Sequence, residues 1–219
     1  MKYSRRRILR LCGVGTAGAL AGCTDGLCTG EPPSDDQPTT TLTPAPEADG
    51  VATRTAMLAA DDGDTQDYFG ESVAVSSDGR TAVVGAFMHE DPNGDEAGAA
   101  YVFDGSGGSW TQQAKLAPDD GDSNDQFGYS VAVSADGTTA FVGATGEEDP
   151  NGFSSGSVYL FRATDTSWTE AGEIVPDDGE LGGNFGRSVT TAAGGTTALV
   201  GAVGEPGGEF VGATYVYEL

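Results

Sequence analysis

The sequence predicts an all-β fold made of three similar units, each a sheet of four antiparallel strands. Three related stretches support this prediction: "DYFGESVAVSSDGRTAVVGA", "DQFGYSVAVSADGTTAFVGA" and "GNFGRSVTTAAGGTTALVGA". They begin at Asp67, Asp125 and Gly183, so the period is 58 residues. A fixed period of this length is typical of architectures built by repeating one unit of secondary structure.

Four β-rich runs, separated by turn residues, make up each unit. In the first unit they are "FGESVAVS", "TAVVGAF", "GAAYVF" and "WTQQAKLA". Asp78-Gly79, Asp136-Gly137 and Gly194-Gly195 separate the first two runs of the three units, as in tight β-hairpins. The second and fourth connections are acidic, and the third is short and glycine-rich. Four antiparallel strands joined in this way form one blade of a β-propeller.

These motifs resemble a known repeat. "FG" followed by "SVA", then "VGA", then "YVF" is similar to the FG-GAP repeat of integrin α-chain propellers. The microbial form, in which "WTQQAKL" and an acidic "DDGD" loop complete the unit, is more similar still. The resemblance implies a propeller domain over residues 51–219, although a fold does not by itself fix a function. The integrin calcium loop between the first two strands is absent here, since only a tight turn stands in that place.

The two ends of the repeat region are complementary. The third unit stops after its third run, at "ATYVYEL", whereas "TRTAML" at residues 53–58 lies 58 residues before "TQQAKL". We therefore expect an N-terminal strand that completes the last blade and so removes a sheet edge. Three blades are fewer than the usual four to eight. We expect a homodimer that forms a six-bladed ring, with this strand exchanged or closing locally; an open arc that binds another repeat protein is the alternative.

The N-terminal residues are typical of an exported lipoprotein. "SRRRILR" resembles the twin-arginine (Tat) export motif, and the apolar run after it is too short to span a membrane. "LAGC" resembles a lipobox, which would make Cys23 the lipid-attachment residue. We interpret residues 1–22 as the signal peptide and 23–50, rich in Thr, Pro and acids, as a flexible tether. The expected location is the extracytoplasmic face of the cell membrane.

Charge limits the partners of this chain. Beyond residue 22 it carries 34 acidic and 5 basic side chains, a net charge of about −29. Such a surface repels nucleic acid. An acid-rich and lysine-poor composition also resembles that of halophilic proteins from salt-loving archaea, whose carboxylates keep the surface hydrated.

The acids are concentrated in particular connections. Strands alternate in direction, so the second and fourth connections of every blade meet on one side, which we call the acidic face; it holds 20 of the 34 acids. Calcium takes oxygen ligands from flexible acidic loops, which makes Ca²⁺ a candidate ligand. A hydrated surface with no specific site is the alternative. The candidate ligands are Asp61, Asp62, Asp64, Asp67, Asp91, Asn93, Asp119, Asp120, Asp122, Asp125, Asp149 and Asn151.

A few other side chains stand out. His89 occupies the position of Glu147 and Glu205 in the other units, which favours a surface role. Tyrosines recur in the third run of each unit, and tryptophans open the fourth run of the first two units, which predicts packing within and between blades. These aromatic residues are Tyr101, Tyr159, Tyr215, Trp110 and Trp168.

No catalytic constellation is present in the sequence. We find no Ser-His-Asp set and no Cys-His pair, and paired carboxylates carry little information in so acidic a chain. The first hypothesis is therefore a lipid-anchored binding or adhesion module with a protein or glycan ligand. The alternatives are a polysaccharide-active enzyme and a purely structural surface protein.

Overall fold

In the computed structural model, all three repeats fall in the unit Ala52–Leu219. Its described residues are 53–90, 93–106, 108–148, 152, 154–179, 181–204 and 212–219. The predicted signal, tether and lipid-attachment residue Cys23 lie outside them, as do Asp91, Asp149 and Asn151. In the described part of the chain, no helix is long and apolar enough to cross a membrane.

Within these described ranges, eleven strands form three antiparallel sheets, each built from one repeat. Blade 1 has the order β1-β2-β3-β4, blade 2 the order β5-β6-β7-β8, and blade 3 the order β11-β10-β9. The strands are β1 (Val73–Val75), β2 (Thr81–Ala86), β3 (Ala99–Asp104), β4 (Thr111–Leu116), β5 (Phe127–Val133), β6 (Thr139–Ala144), β7 (Ser157–Ala163), β8 (Trp168–Ile174), β9 (Ser188–Thr191), β10 (Thr197–Ala202) and β11 (Ala213–Glu218). The predicted all-β class and the four-stranded antiparallel unit are confirmed.

The core lies between neighbouring blades. Val83 and Val102 of blade 1 pack with Phe127 and Val142 of blade 2 in one buried cluster. A second cluster joins Phe141 of blade 2 to blade 3 in the same way. Both clusters use the same repeat positions, so blade 2 buries one side against blade 1 and its other side against blade 3.

The connections are distributed over two sides, as strand alternation predicts. The first connections contact one another, because Ser77 N donates to Ala135 O and Ala135 N donates to Ala193 O. The second and fourth connections meet on the other side, where Asn124 N donates to Asp95 O and Gln126 N donates to Glu96 O. The acidic face is therefore continuous across the junction of blades 1 and 2.

The N-terminal segment differs from one predicted outcome. Residues 53–60 form no strand, and the sheet of blade 3 contains three strands within the described residues. Leu58 and Ala60 pack instead against the side of blade 1 that faces away from blade 2, beside Phe69 and Trp110. The prediction that this segment closes blade 3 locally is thus wrong for this chain. Exchange of the segment with a second copy stays a prediction.

Candidate functional site

A hydrogen-bonded network lies in blade 1, where the acidic face meets the outer strands. His89 Nδ1 is 2.9 Å from Asp67 Oδ2, and Lys115 Nζ is 2.7 Å from His89 Nε2. Lys115 Nζ also donates to Asp62 Oδ2 at 2.8 Å, and Tyr101 Oη donates to Asp62 Oδ1 at 2.9 Å. Because an ammonium group can only donate, Nε2 of His89 accepts and Nδ1 donates to Asp67. Every carboxylate of this network thus has a donor.

Blade 2 keeps three of these five side chains at the equivalent repeat positions and changes two. Asp125 and Asp120 match the two aspartates of blade 1, and Tyr159 donates to Asp120 Oδ1 at 3.2 Å. Glu147 stands where blade 1 has its histidine, and Glu173 stands where blade 1 has its lysine. Both basic residues of the blade 1 network are therefore replaced by acids in blade 2.

This replacement changes the protonation of blade 2. Burial, together with the charge of Asp125 and the hydrogen bond to it, raises the pKa of Glu147 to about 8. Burial also raises the pKa of Asp125, although the backbone N–H of Asp122 opposes the rise. Oε2 of Glu147 is buried and makes no hydrogen bond to any described residue. Two carboxyl groups in contact need a shared proton, so Glu147 is protonated near neutral pH.

The opposite shift occurs in blade 1. Burial works against ionisation of Asp62, but the hydrogen bonds from Lys115 and Tyr101 outweigh it and lower the pKa of this carboxyl. In blade 2, burial and then the charge of Glu147 raise the pKa of the Tyr159 hydroxyl. Lys115 thus stabilises a charged carboxylate in blade 1, whereas blade 2 has an acid, Glu173, at the position of this lysine.

The remaining calcium candidates serve mainly in loop structure. Asp64 N and Asp122 N donate to the carboxylates of Asp67 and Asp125, which cap their own loops. Asn93 donates to Pro118 O, which joins a second connection to a fourth one. Asp61 and Asp119 are exposed.

A metal site is not assembled in the described part of the chain. No group of three or more His, Cys, Asp or Glu side chains there is placed to hold a metal ion. Three of the candidate ligands, Asp91, Asp149 and Asn151, lie outside the described residues. Calcium binding accordingly stays a prediction.

A polar cleft of about 770 Å³ opens beside the blade 1 network. Its lining is mostly carboxylate and amide, including Asp64, Gln66, Glu90 and Glu96. His89 lies at its inner wall and is 5 % exposed. The expectation that His89 is a surface residue is wrong, because its two ring nitrogens are held by Lys115 and Asp67 inside the blade.

Sequence reasoning missed the role of two residues, Lys115 and Glu173. They occupy the same place in the fourth strand of blades 1 and 2, and only their alignment at the 58-residue period would have revealed the exchange of a base for an acid. The aromatic predictions are confirmed where they can be compared. Tyr101 and Tyr159 are fully buried, and Trp168 packs against the core between blades 1 and 2.

Comparison with known proteins agrees with the repeat seen in the three blades. Residues 52–103, 110–161 and 168–217 each match the FG-GAP repeat. A search among curated proteins found no significant match. Each matched segment contains the first three strands of one blade, and the second and third segments begin with the fourth strand of the blade before; together they cover most of the chain. The chain therefore belongs to the FG-GAP repeat family.

Proposed function

We propose that this protein is a lipid-anchored propeller module that binds a ligand or mediates adhesion at the extracytoplasmic face of the membrane, without catalysis. The observation that carries the proposal is the acidic face. Connections from neighbouring blades meet there, and they differ chemically between blades although the sheets beneath them are alike. A rigid sheet scaffold with variable loops is typical of binding sites.

The carboxyl geometry favours binding over glycoside cleavage. Glycosidases hold their two carboxyl groups about 5 Å or more apart, so that a sugar fits between them. Asp125 and Glu147 are instead hydrogen-bonded to each other, and Asp125 is 4 % exposed. In blade 1, the carboxylates of Asp62 and Asp67 are occupied by Lys115, Tyr101 and His89. Neither the Asp125–Glu147 pair nor the Asp62–Asp67 pair is therefore open to a sugar.

Anchoring rests on the N-terminal sequence. Cys23 follows a lipobox-like "LAG", and the tether of residues 23–50 separates it from the propeller. A flexible chain of this length has a mean reach of about 25 to 30 Å. That reach holds the module close to the membrane while leaving its surface open to partners.

The proposal is tested by attachment of whole cells, in molar salt, to glass and to one another. Cells that lack the protein should attach less, and the wild-type chain should restore attachment. The triple variant Asp61→Asn/Asp119→Asn/Asp177→Asn, which neutralises exposed carboxylates of the acidic face, should not restore it. Cys23→Ser should release the protein into the medium and also fail to restore attachment.

A matched control removes the same charge from the opposite side. Asp78 and Asp136 each accept their turn hydrogen bonds through Oδ1 alone, which an asparagine retains. The variant Asp78→Asn/Asp136→Asn/Asp165→Asn should therefore fold and restore attachment. Equal loss of attachment in both triple variants would contradict a role for the acidic face. Release of reducing sugars from cell-surface polysaccharide by the purified chain would instead support the enzyme alternative.

A further inference from the structure

The outer side of blade 1, which faces away from blade 2, is apolar, and described residues such as Leu58 and Ala60 cover only part of it. Val73 and Val75 of β1 are 69 % and 59 % exposed. Val131 occupies the same repeat position as Val73 but is 8 % exposed, because blade 1 covers it. The exposed valines thus belong to a surface that this fold buries wherever a preceding blade exists.

The outer side of blade 3, which faces away from blade 2, also exposes apolar side chains. Leu199 and Val216 are 40 % and 64 % exposed. Their counterparts in blade 2, Phe141 and Leu160, are 0 % and 7 % exposed, since blade 3 packs on them. Among the described residues, therefore, no blade lies before blade 1 and none lies after blade 3. Paired apolar surfaces of this kind mark an interaction site.

The interfaces inside the chain show how these two ends fit together. Ser72 Oγ donates to Gly128 O across blades 1 and 2, and Ser130 Oγ donates to Gly186 O across blades 2 and 3. Ser188 is the next serine in this series. Its matching acceptor is the carbonyl of Gly70, whose φ of 95° equals that of the two acceptor glycines within about 10°. Blade 1 thus carries the acceptor geometry that blade 3 requires.

The N-terminal segment already lies where a preceding blade would place its fourth strand. Leu58 packs on the outer side of blade 1. One repeat later, Leu116 packs in the same way at the junction of blades 1 and 2. Asp61 N donates to Gln112 Oε1, and one repeat later Asp119 N donates to Glu170 Oε2. The segment therefore follows the path of a fourth strand although its own chain has no sheet for it to join.

We propose that blade 1 of one copy docks on blade 3 of a second copy, and the reverse, to form a six-bladed ring in which residues 53–58 of each copy add to β11 of the other. By analogy with β3–β4, Leu58 would pair with Thr214 and Ala56 with Val216. Two copies give six blades, within the common range, whereas three copies give nine. The contact is head-to-tail, and it closes only if the rotation between copies completes a ring. This inference does not depend on the ligand of the acidic face.

Light scattering of the full chain in 3 M NaCl tests the assembly. Cys12, Cys23 and Cys28 are replaced by serine, to remove the lipid and the native thiols. The expected mass is twice that of the chain. Val73→Asp should halve it, because the charge falls on the apolar contact while the side chain is exposed in the single chain. Leu181→Asp, an equal change at a 72 % exposed position of the acidic face, should remain dimeric.

Disulfide trapping gives an independent measurement. Ser77 N bonds Ala135 O within the chain, so Ser77→Cys/Ala135→Cys should form an intramolecular bridge. Ala193 is the equivalent residue of blade 3, so Ser77→Cys/Ala193→Cys should give a covalent dimer that Val73→Asp abolishes. A monomeric full chain, a mass other than two copies, or a dimer unchanged by Val73→Asp would overturn the proposal. So would the absence of a covalent dimer while the Ser77/Ala135 control bridge forms.

Discussion

One proton distinguishes the network of blade 2 from that of blade 1. Asp67 accepts from His89, which brings its own hydrogen, whereas Asp125 faces Glu147, which provides one only when protonated. The folded chain keeps this proton up to pH about 8, whereas an unfolded glutamate loses it near pH 4.5. Because the folded state binds more protons in this window, stability falls as pH rises from about 5 to 8.

Glu147→Gln should remove this pH dependence. The amide donates to Asp125 at every pH, so the variant should be more stable than the wild type at pH 8, by about 1 to 2 kcal/mol once solvent screening of the half-buried group is discounted. At pH 5 the two proteins should differ little. Thermal unfolding between pH 5 and 8 in molar salt measures, for each protein, the slope of stability against pH.

The control for this prediction is the neighbouring residue. Glu148 is exposed, so Glu148→Gln removes the same charge without touching Asp125 and should keep the wild-type slope. If Glu147→Gln kept that slope too, the shared proton would not lie on this pair.

Among the elements, the second strand of each blade (β2, β6 and β10) carries a glycine on the side where a following blade would approach. A Cβ on Gly143 of β6 would press against Gly186 O, a backbone atom of blade 3, whereas a Cβ on Gly201 of β10 would meet only Ser188 of its own blade. The nearest Ser188 atom is a hydroxyl that can rotate away. Gly143 is thus required because blade 3 approaches β6, and not because of the packing within the sheet of blade 2.

Gly143→Ala should therefore lower the free energy of unfolding by about 1 to 3 kcal/mol, as overpacking does. Gly201→Ala should have a clearly smaller effect. Both variants are compared by urea unfolding in the Val73→Asp background, which keeps the chain monomeric and so leaves blade 3 without a neighbour. Equal losses of stability would show that the glycine is needed within the sheet instead.

The 58-residue period predicted the strands, but it could not predict contacts that differ from one repeat to the next. The 58-residue spacing and the Asp-Gly turns located the strands. β1 begins only at Val73, whereas β5 begins at Phe127, which pairs with Ala144 and also bridges Gly98 of blade 1. The similarity of residues 53–58 to β4 predicted a strand, but a strand needs a neighbouring edge, which the sequence does not locate. For the site, spacing brought the acidic loops together and gave no sign that Lys115 reaches His89.

At the scale of the whole molecule, unbalanced charge is the dominant feature. The chain beyond residue 22 has 34 acids and 5 bases, so few of its carboxylates can pair with a cation, as Asp78 does with Arg80 and Asp62 with Lys115. Most carboxylates therefore repel one another without local compensation. The Debye length falls from about 10 Å at 0.1 M salt to about 3 Å at 1 M, so salt removes repulsion between neighbouring loops.

The folded chain should consequently need high salt, and the acidic face should account for much of that need. The melting temperature should rise steeply between 0.1 and 3 M NaCl, and less steeply for Asp61→Asn/Asp119→Asn/Asp177→Asn than for Asp78→Asn/Asp136→Asn/Asp165→Asn. Both variants lose three charges, so general effects of salt on apolar burial cancel between them. The difference then reports the crowding of carboxylates on one face, where relief of repulsion is greatest. Circular dichroism at 0.1, 1 and 3 M NaCl measures the slopes. Identical slopes for the two triple variants would mean that net charge alone, irrespective of its place on the blades, sets the salt requirement.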